Sequence, residues 1–302
     1  MLNALTIVVE DYYQVSAFES VVRFEDWGGY ESRVERNTTR LLEILGAADV
    51  KATFFTLGWV AERHPGLIKA IHAEGHEIAS HGYRHRLLYD MGRDEFREDT
   101  RKAKQILEDL CGAAVLGYRA ASYSIVRRTL WCLDVLQEFG FKYDSSIFPI
   151  RHDRYGMPEW TRFPHRISNN GGPGIWEFPL STVRLGKWNV PIAGGGYLRL
   201  LPYGFISWGI EQINQTEDKP AIVYLHPWEI DPNQPRLRAP WLSMFRHYVN
   251  LSQTETKLRS LLRDFSFAPV REVIWPAARV RLPAVQAAAD DSDSLFVGNL
   301  NG

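Results

Sequence analysis

The segment SHGYRH places His81 and His85 four residues apart, and on one helical turn two imidazoles at that spacing project from the same side. Such a pair has the geometry of a bidentate metal ligand, although the spacing also arises by chance. A carboxylate from elsewhere would complete three protein ligands and leave a position open for water or substrate, the arrangement of catalytic zinc. Asp11 is the nearest candidate for that carboxylate. Four other residues could serve a metal site: Glu10, Arg119, Asp144 and His226. A carboxylate could take a proton from water. His226 could exchange a proton with a leaving group, or be a core histidine satisfied by backbone. Arg119 could orient a catalytic carboxylate through a bidentate contact, or pair structurally with Asp144.

Positioning these groups falls to seven short apolar runs, at 4–9, 52–57, 76–80, 114–118, 141–145, 175–179 and 221–225. They are short and mostly apolar on both faces, as strands of a parallel sheet should be. Helical patterns separate them. Val34, Thr38, Leu41, Leu42 and Leu45 share one face of a helix that Gly46 is expected to end, and helices are predicted over 65–73, 93–110 and 126–139, closed by Gly75, Gly112 and Gly140. This βα alternation predicts an α/β fold, either a (β/α) barrel or a doubly wound open sheet, and the barrel is preferred. The polar residues gather at the carboxyl ends of the strands, the face that carries catalysis in barrels. Glu10 and Asp11 follow the first strand, His81 and His85 the third and Arg119 the fourth, while Asp144 and His226 end the fifth and seventh.

The 302 residues could make two domains at about 150 each, but a barrel of this size forms one. With 45% hydrophobic and 24% charged residues the chain can bury a large core, and a net charge of −1 gives no electrostatic reason to expect nucleic-acid binding. No apolar run is long enough to span a bilayer. The start MLNALTIVVEDYYQ lacks a basic n-region, so a cytoplasmic location is expected, with action near the inner membrane open. Cys111 and Cys132, the only cysteines, read as small apolar filler. Stretches 149–174 and 184–202 are expected as long irregular loops walling a site. In the second, Gly194–Gly196 would let backbone approach a ligand closely, or form a simple turn. After Trp275 the composition turns to Pro, Ala, Asp and Ser, so 1–275 is expected as the catalytic domain and 276–302 as a disordered or loosely docked tail.

Taken in order, these residues resemble the polysaccharide deacetylase family, which shares a chitooligosaccharide deacetylase homology domain. Glu10-Asp11 resembles its acidic motif, His81 to His85 its metal-binding motif, Arg119-Ala-Ala-Ser-Tyr123 its arginine motif and Leu225-His226 its catalytic histidine motif. The stretches ATFFTLGWVAERHP, GHEIASHGYRH, YDSSIFP, GGGYLRLLPY and LHPWEIDP resemble more narrowly the exosortase-associated exopolysaccharide deacetylase branch. The resemblance implies a distorted (β/α) barrel with fewer than eight full repeats. It also implies metal-dependent removal of N-acetyl groups from an amino-sugar glycan; the near-neutral charge argues against a nucleic-acid partner, and the sequence gives no oligomeric state. Asp11, His81 and His85 would hold the metal, Zn2+ by preference, with Co2+, Ni2+ or Fe2+ able to use the same ligands. A carboxylate, Glu10 or alternatively Asp144, would take the water proton, His226 would protonate the amine, and a backbone N–H near Tyr123 could meet the developing oxyanion. Among the aromatic residues Tyr12, Tyr13, Tyr123, Trp188, Tyr197 and Trp228, the three expected to bind substrate are Tyr123, Tyr197 and Trp228.

Two positions depart from that pattern. Val8 stands where the narrower branch carries Asp, and Ala121 where the arginine motif carries Pro, a change expected to loosen the loop around Arg119. If Glu10 replaces the missing base the chain turns over. Otherwise it binds metal and glycan with little turnover, a pseudoenzyme. A hydrolase of small amides is the third reading.

Overall fold

The computed structural model describes residues 1–168 and 174–275; the tail expected over 276–302 lies outside the described residues. All seven expected strands form, as β1 (Leu2–Val9), β2 (Thr53–Thr56), β3 (Glu77–Ser80), β4 (Gly117–Tyr118), β5 (Tyr143–Asp144), β7 (Ile175–Glu177) and β10 (Ile222–Leu225). Four further strands are β6 (His165–Ile167), the hairpin β8 (Thr182–Leu185) and β9 (Trp188–Pro191), and β11 (Ser266–Ala268). The main sheet runs β10-β1-β2-β3-β4-β5-β7-β6, with β11 added beside β1, and only the β6–β7 pairing is antiparallel. It is a curled, mostly parallel sheet wrapped by helices, a distorted (β/α) barrel.

Between β7 and β10 the wall is irregular backbone. Tyr224 N–H donates to the Ala193 carbonyl and Gly195 N–H to the Tyr224 carbonyl. A Cβ on Gly194, where φ is +135°, would stand 1.8 Å from the Tyr224 carbonyl oxygen. Gly194 and Gly195 therefore serve a backbone-to-strand approach, while Gly196 lines the cleft. The stretch expected as the second loop also holds β9 and the short helix Gly196–Leu200.

Alternation along the strands sorts side chains into two layers. In β1, Leu5, Ile7 and Val9 pack outward in the large core between sheet and helices, while Ala4 and Val8 join an inner cluster with Phe55, Ala79, Tyr143, Ile222 and Tyr224. The helix Val270–Ile274 belongs to the same inner cluster through Val270, with Val273 and Ile274 packed beside it. The outer helices follow the expected pattern. Val34–Ala47 buries Val34, Thr38, Leu41, Leu42 and Leu45, and Arg93–Cys111 ends at Gly112 with φ +63°. Gly46 lies inside its helix, and the left-handed residue that redirects the chain is Asp49. The predicted 126–139 helix begins at Cys132, preceded by a single 3-10 turn at Arg127–Thr129. Thr129 Oγ1 accepts from Val126 N–H there, which holds the chain off the helical path. Cys132 is buried and Cys111 half-buried; both are free thiols.

Candidate metal centre and cleft

Side-chain alternation decides which acid of the Glu10-Asp11 pair reaches the barrel interior. Thr6, Val8 and Glu10 share the inward face of β1, and Asp11 points to the helices. Asp11 therefore does not join the histidines. Its Oδ2 accepts from Ser32 Oγ (2.9 Å), Arg33 N–H (2.7 Å) and Val34 N–H (3.1 Å), and its Oδ1 from Tyr12 N–H. It anchors the start of the helix Val34–Ala47, where exposed N–H groups favour a carboxylate.

Glu10 takes the place expected for Asp11. Its Oε2 stands 3.0 Å from His85 Nε2 and 3.8 Å from His81 Nε2, and among the described residues these three form the one candidate metal cluster. Tetrahedral ligand atoms on zinc are spaced about 3.4 Å apart, so the separations suit a small divalent cation. Glu10 Oε2 is buried with no well-oriented hydrogen bond, a state a cation would relieve. His81 Nδ1 lies 2.7 Å from the Arg119 carbonyl, so its N–H donates there and its Nε2 lone pair faces the cluster. Burial pulls the His81 imidazole down to about 3, with His85 adding to the effect, which keeps it neutral as a ligand must be. Burial would raise the Glu10 carboxyl, but attraction to His85, His226 and His81 outweighs it and holds the group at about 2.

The two histidines do not lie on a helical turn. Residues 81–85 form a loop in which Gly82 (φ +71°) and His85 (φ +53°) are left-handed. Asp99, on the helix Arg93–Cys111, shapes it by accepting the N–H groups of Tyr83 (2.7 Å) and Arg84 (3.3 Å). Sequence reasoning missed Asp99, since nothing local marks a carboxylate fourteen residues beyond His85.

His226 points inward from the end of β10, with Nε2 3.5 Å from Glu10 Oε1. Its other nitrogen, Nδ1, is 2.9 Å from Glu229 Oε2, and Glu229 Oε1 accepts from Arg199 Nε at 2.6 Å. Arg199 also donates to the His247 and Val249 carbonyls. Glu229 and Arg199 are both buried. Burial would raise the Glu229 carboxyl, yet Arg199 and His226 hold it at about 2. Neither partner was foreseen, although the spacing H-x-x-E is that of a capping box and could have flagged Glu229.

Arg119 is buried, with its guanidinium donating to Ser145 O (2.9 Å), Thr6 Oγ1 (2.8 Å) and Ser145 Oγ (2.8 Å), 4.1 Å above the Phe55 ring. Among the described residues no carboxylate forms an ion pair with it. Both expected roles, orienting a catalytic acid and pairing with Asp144, are therefore unfilled. Asp144 follows the inward Tyr143 and so faces out of the barrel interior, where its carboxylate accepts from Ser146 Oγ and N–H and meets Glu177. Burial raises both of these carboxyls, and the pair, opposite each other in register, links β5 to β7.

A cleft of about 430 Å³ opens over these groups, lined by Val8, Glu10, His81, His85, Arg119 and His226. Tyr123, Tyr197 and Trp228 also line it, whereas Tyr12 and Tyr13 are core residues and Trp188 is exposed on the hairpin. Trp228 stacks on His226 at 5.1 Å and on His247 at 4.1 Å. At the arginine motif Ser122 and Tyr123 are both left-handed, at φ +47° and +55°, a strain that site turns tolerate. A backbone N–H near Tyr123 is expected to meet an oxyanion; the N–H of Tyr123 itself donates to the Ala120 carbonyl at 3.1 Å.

A (β/α) barrel with a Glu-His-His cluster and a carboxylate-paired histidine at its carboxyl-end face defines the class. Residues 20–143 match the polysaccharide deacetylase family model, and residues 145–275 match a domain of unknown function, DUF3473. Residues 20–143 thus carry a segment similar to the polysaccharide deacetylase family, and the match to that family does not extend past residue 143. It is 33% identical over 150 residues to a chitooligosaccharide deacetylase of Sinorhizobium fredii, covering 50% of this chain and 62% of that one. It is 43% identical over 77 residues to a peptidoglycan-N-acetylglucosamine deacetylase of Bacillus cereus, covering 26% and 28%. The chain thus spans less than two thirds of the length of either relative. In fold it is similar to a structure from Mycobacterium smegmatis assigned as a polysaccharide deacetylase, with a TM-score of 0.59 at 21% identity over 99% and 94% of the two chains. It is also similar to the PuuE allantoinase, at 0.53 and 18% over 88% and 86%. No helix among the described residues is long and apolar enough to cross a membrane.

Proposed function

We propose that this chain is a metal-dependent hydrolase that removes N-acetyl groups from an amino-sugar glycan, in the synthesis or remodelling of an exopolysaccharide. The observation that carries this reading is the convergence of Glu10, His81 and His85 within 4.8 Å of one another, with His226 beside them. A divalent cation held by Glu10, His81 and His85, Zn2+ by preference, would polarise the amide carbonyl and make water a stronger nucleophile. The chain's own residues handle the proton. Glu229 accepts the Nδ1 proton of His226 and leaves the Nε2 lone pair facing the cleft, so His226 takes a proton from the attacking water and returns it to the nitrogen as the C–N bond breaks. The products are acetate and a free amine. Arg199 holds Glu229 in its ionised form, and Tyr123, Tyr197 and Trp228 offer faces on which sugar rings stack.

Val8 favours a second reading. With Glu10 committed to the histidine cluster and Glu229 to His226 and Arg199, no other carboxylate among the described residues lines the cleft, and none of them pairs with Arg119 beside the Val8 wall. A glycan-binding protein with little turnover fits those facts. Acetate release from N-acetylglucosamine oligomers, measured with added metal and with chelator, separates the two. Metal-dependent release supports the hydrolase; glycan binding without release overturns it.

A further inference from the structure

The helix Trp241–Tyr248 carries an apolar ridge that the catalytic reading does not use. Trp241, Leu242 and Phe245 are 73%, 41% and 50% exposed, and at 100° per residue they fall within one arc of about 100°. The opposite side of this helix is anchored, with His247 buried against Trp228 (4.1 Å) and Phe18 (4.7 Å). Arg246, next round the helix from Leu242, is 47% exposed and lines the mouth of the cleft, as does the exposed Leu200. The ridge therefore adjoins the entrance to the site.

Along the segment that carries the ridge, charge has one sign. Residues 232–246 contain Arg236, Arg238 and Arg246 and no carboxylate, and all three arginines are exposed. From outside the segment, the exposed Asp153 stands 3.9 Å from Arg246, while Asp231 is buried and engaged by Arg33 and Arg36. A tryptophan, a leucine and a phenylalanine bordered by arginines make an interfacial helix face, in which the apolar groups enter the acyl boundary and the guanidinium groups meet headgroup phosphates. A second copy would bring three arginines against three arginines. Three apolar side chains also fall well short of the roughly 800 Å² that each partner buries in a stable protein interface.

We propose that the helix Trp241–Tyr248 docks the chain on an anionic lipid surface, with the cleft mouth at the headgroup layer. This arrangement suits a glycan whose reducing end is held on a lipid. The docking is measured without turnover, so it stands or falls separately from the hydrolase reading.

The test is co-sedimentation of the full chain with vesicles of phosphatidylcholine alone and with one third phosphatidylglycerol. Binding to the anionic vesicles at least about tenfold tighter than to the neutral ones, weakening as salt rises, is expected. Trp241→Ser with Phe245→Ser lowers that affinity at least about tenfold, and Arg236→Glu with Arg238→Glu removes the anionic preference. Both variants keep the wild-type metal content and melting behaviour, because the altered side chains are exposed. Absence of vesicle binding, or binding that the variants leave intact, overturns the proposal. So does a wild-type dimer that Trp241→Ser with Phe245→Ser dissociates, or a loss of affinity for N-acetylglucosamine oligomers in that variant without vesicle binding. The first would assign the ridge to a second copy and the second to a sugar platform.

Discussion

His226 and Glu229 close a turn on themselves: Glu229 Oε2 accepts both the backbone N–H of His226 and, at 2.9 Å, its Nδ1. One carboxylate thus fixes the backbone that aims the imidazole and the tautomer that leaves Nε2 facing Glu10. Arg199, brought in from thirty residues earlier, keeps that carboxylate charged in a buried place.

Glu229→Gln is therefore expected to lower kcat at least about a hundredfold while leaving metal content unchanged, since a carboxamide neither fixes the tautomer nor stabilises an imidazolium. A metal analysis beside a rate assay checks this. A variant that turns over like the wild type would remove Glu229 from the mechanism.

The same variant has a pH signature. Arg199 and His226 hold the Glu229 carboxyl at about 2, below its ordinary 4.5, so the ionised form stabilises the fold by about 3 kcal/mol at neutral pH. The contribution is fully present above about pH 4.5 and is lost as pH falls toward 2. In urea titrations the stability gap between wild type and Glu229→Gln is expected to be widest near pH 6 and to shrink through this window. A gap that does not change with pH would show that the pairing adds no linked stability.

His81→Ala, His85→Ala and Glu10→Gln are each expected to remove most bound metal without unfolding the chain. Elemental analysis after metal loading checks all three. The Glu10 variant decides between ligand and base. A Glu10→Gln protein with full metal content and no activity would return Glu10 to the role of base.

Val8→Asp places a carboxylate on the inward face of β1, beside the Phe55 and Tyr224 rings that hold the Arg119 guanidinium. Acetate release is expected to rise at least about tenfold with metal content unchanged, part of what a general base contributes. An unaltered rate would mean that His226 handles the proton alone.

Asp99→Ala touches neither metal ligand nor substrate, but it leaves the N–H groups of Tyr83 and Arg84 without their acceptor. The loop that aims His85 then loosens, and metal affinity is expected to fall about 10–100-fold, as for other supporting groups around metal sites. Competition with a chromophoric chelator measures it.

Local sequence determined the strands and most helices of this protein, because each βα unit carries its own signals. β1 is a buried, mostly apolar run, the helix Val34–Ala47 shows a one-sided apolar face, and Gly112 takes the left-handed position that ends Arg93–Cys111. In a parallel barrel that order brings the carboxyl ends of the strands to one face. His81, His85, Arg119 and His226 could therefore be assigned to a single site from their positions alone. Tertiary structure decided which side chains enter that site. A strand buried on both faces gives no sign of which face is interior, so adjacent acids such as Glu10 and Asp11 look equivalent until the sheet curls and turns only Glu10 inward. The same parity turns Asp144 away from Arg119. Glu229, Arg199 and Asp99 act through contacts that exist only after the chain has closed on itself, since a carboxylate's partner is set by proximity in space and not by spacing in sequence.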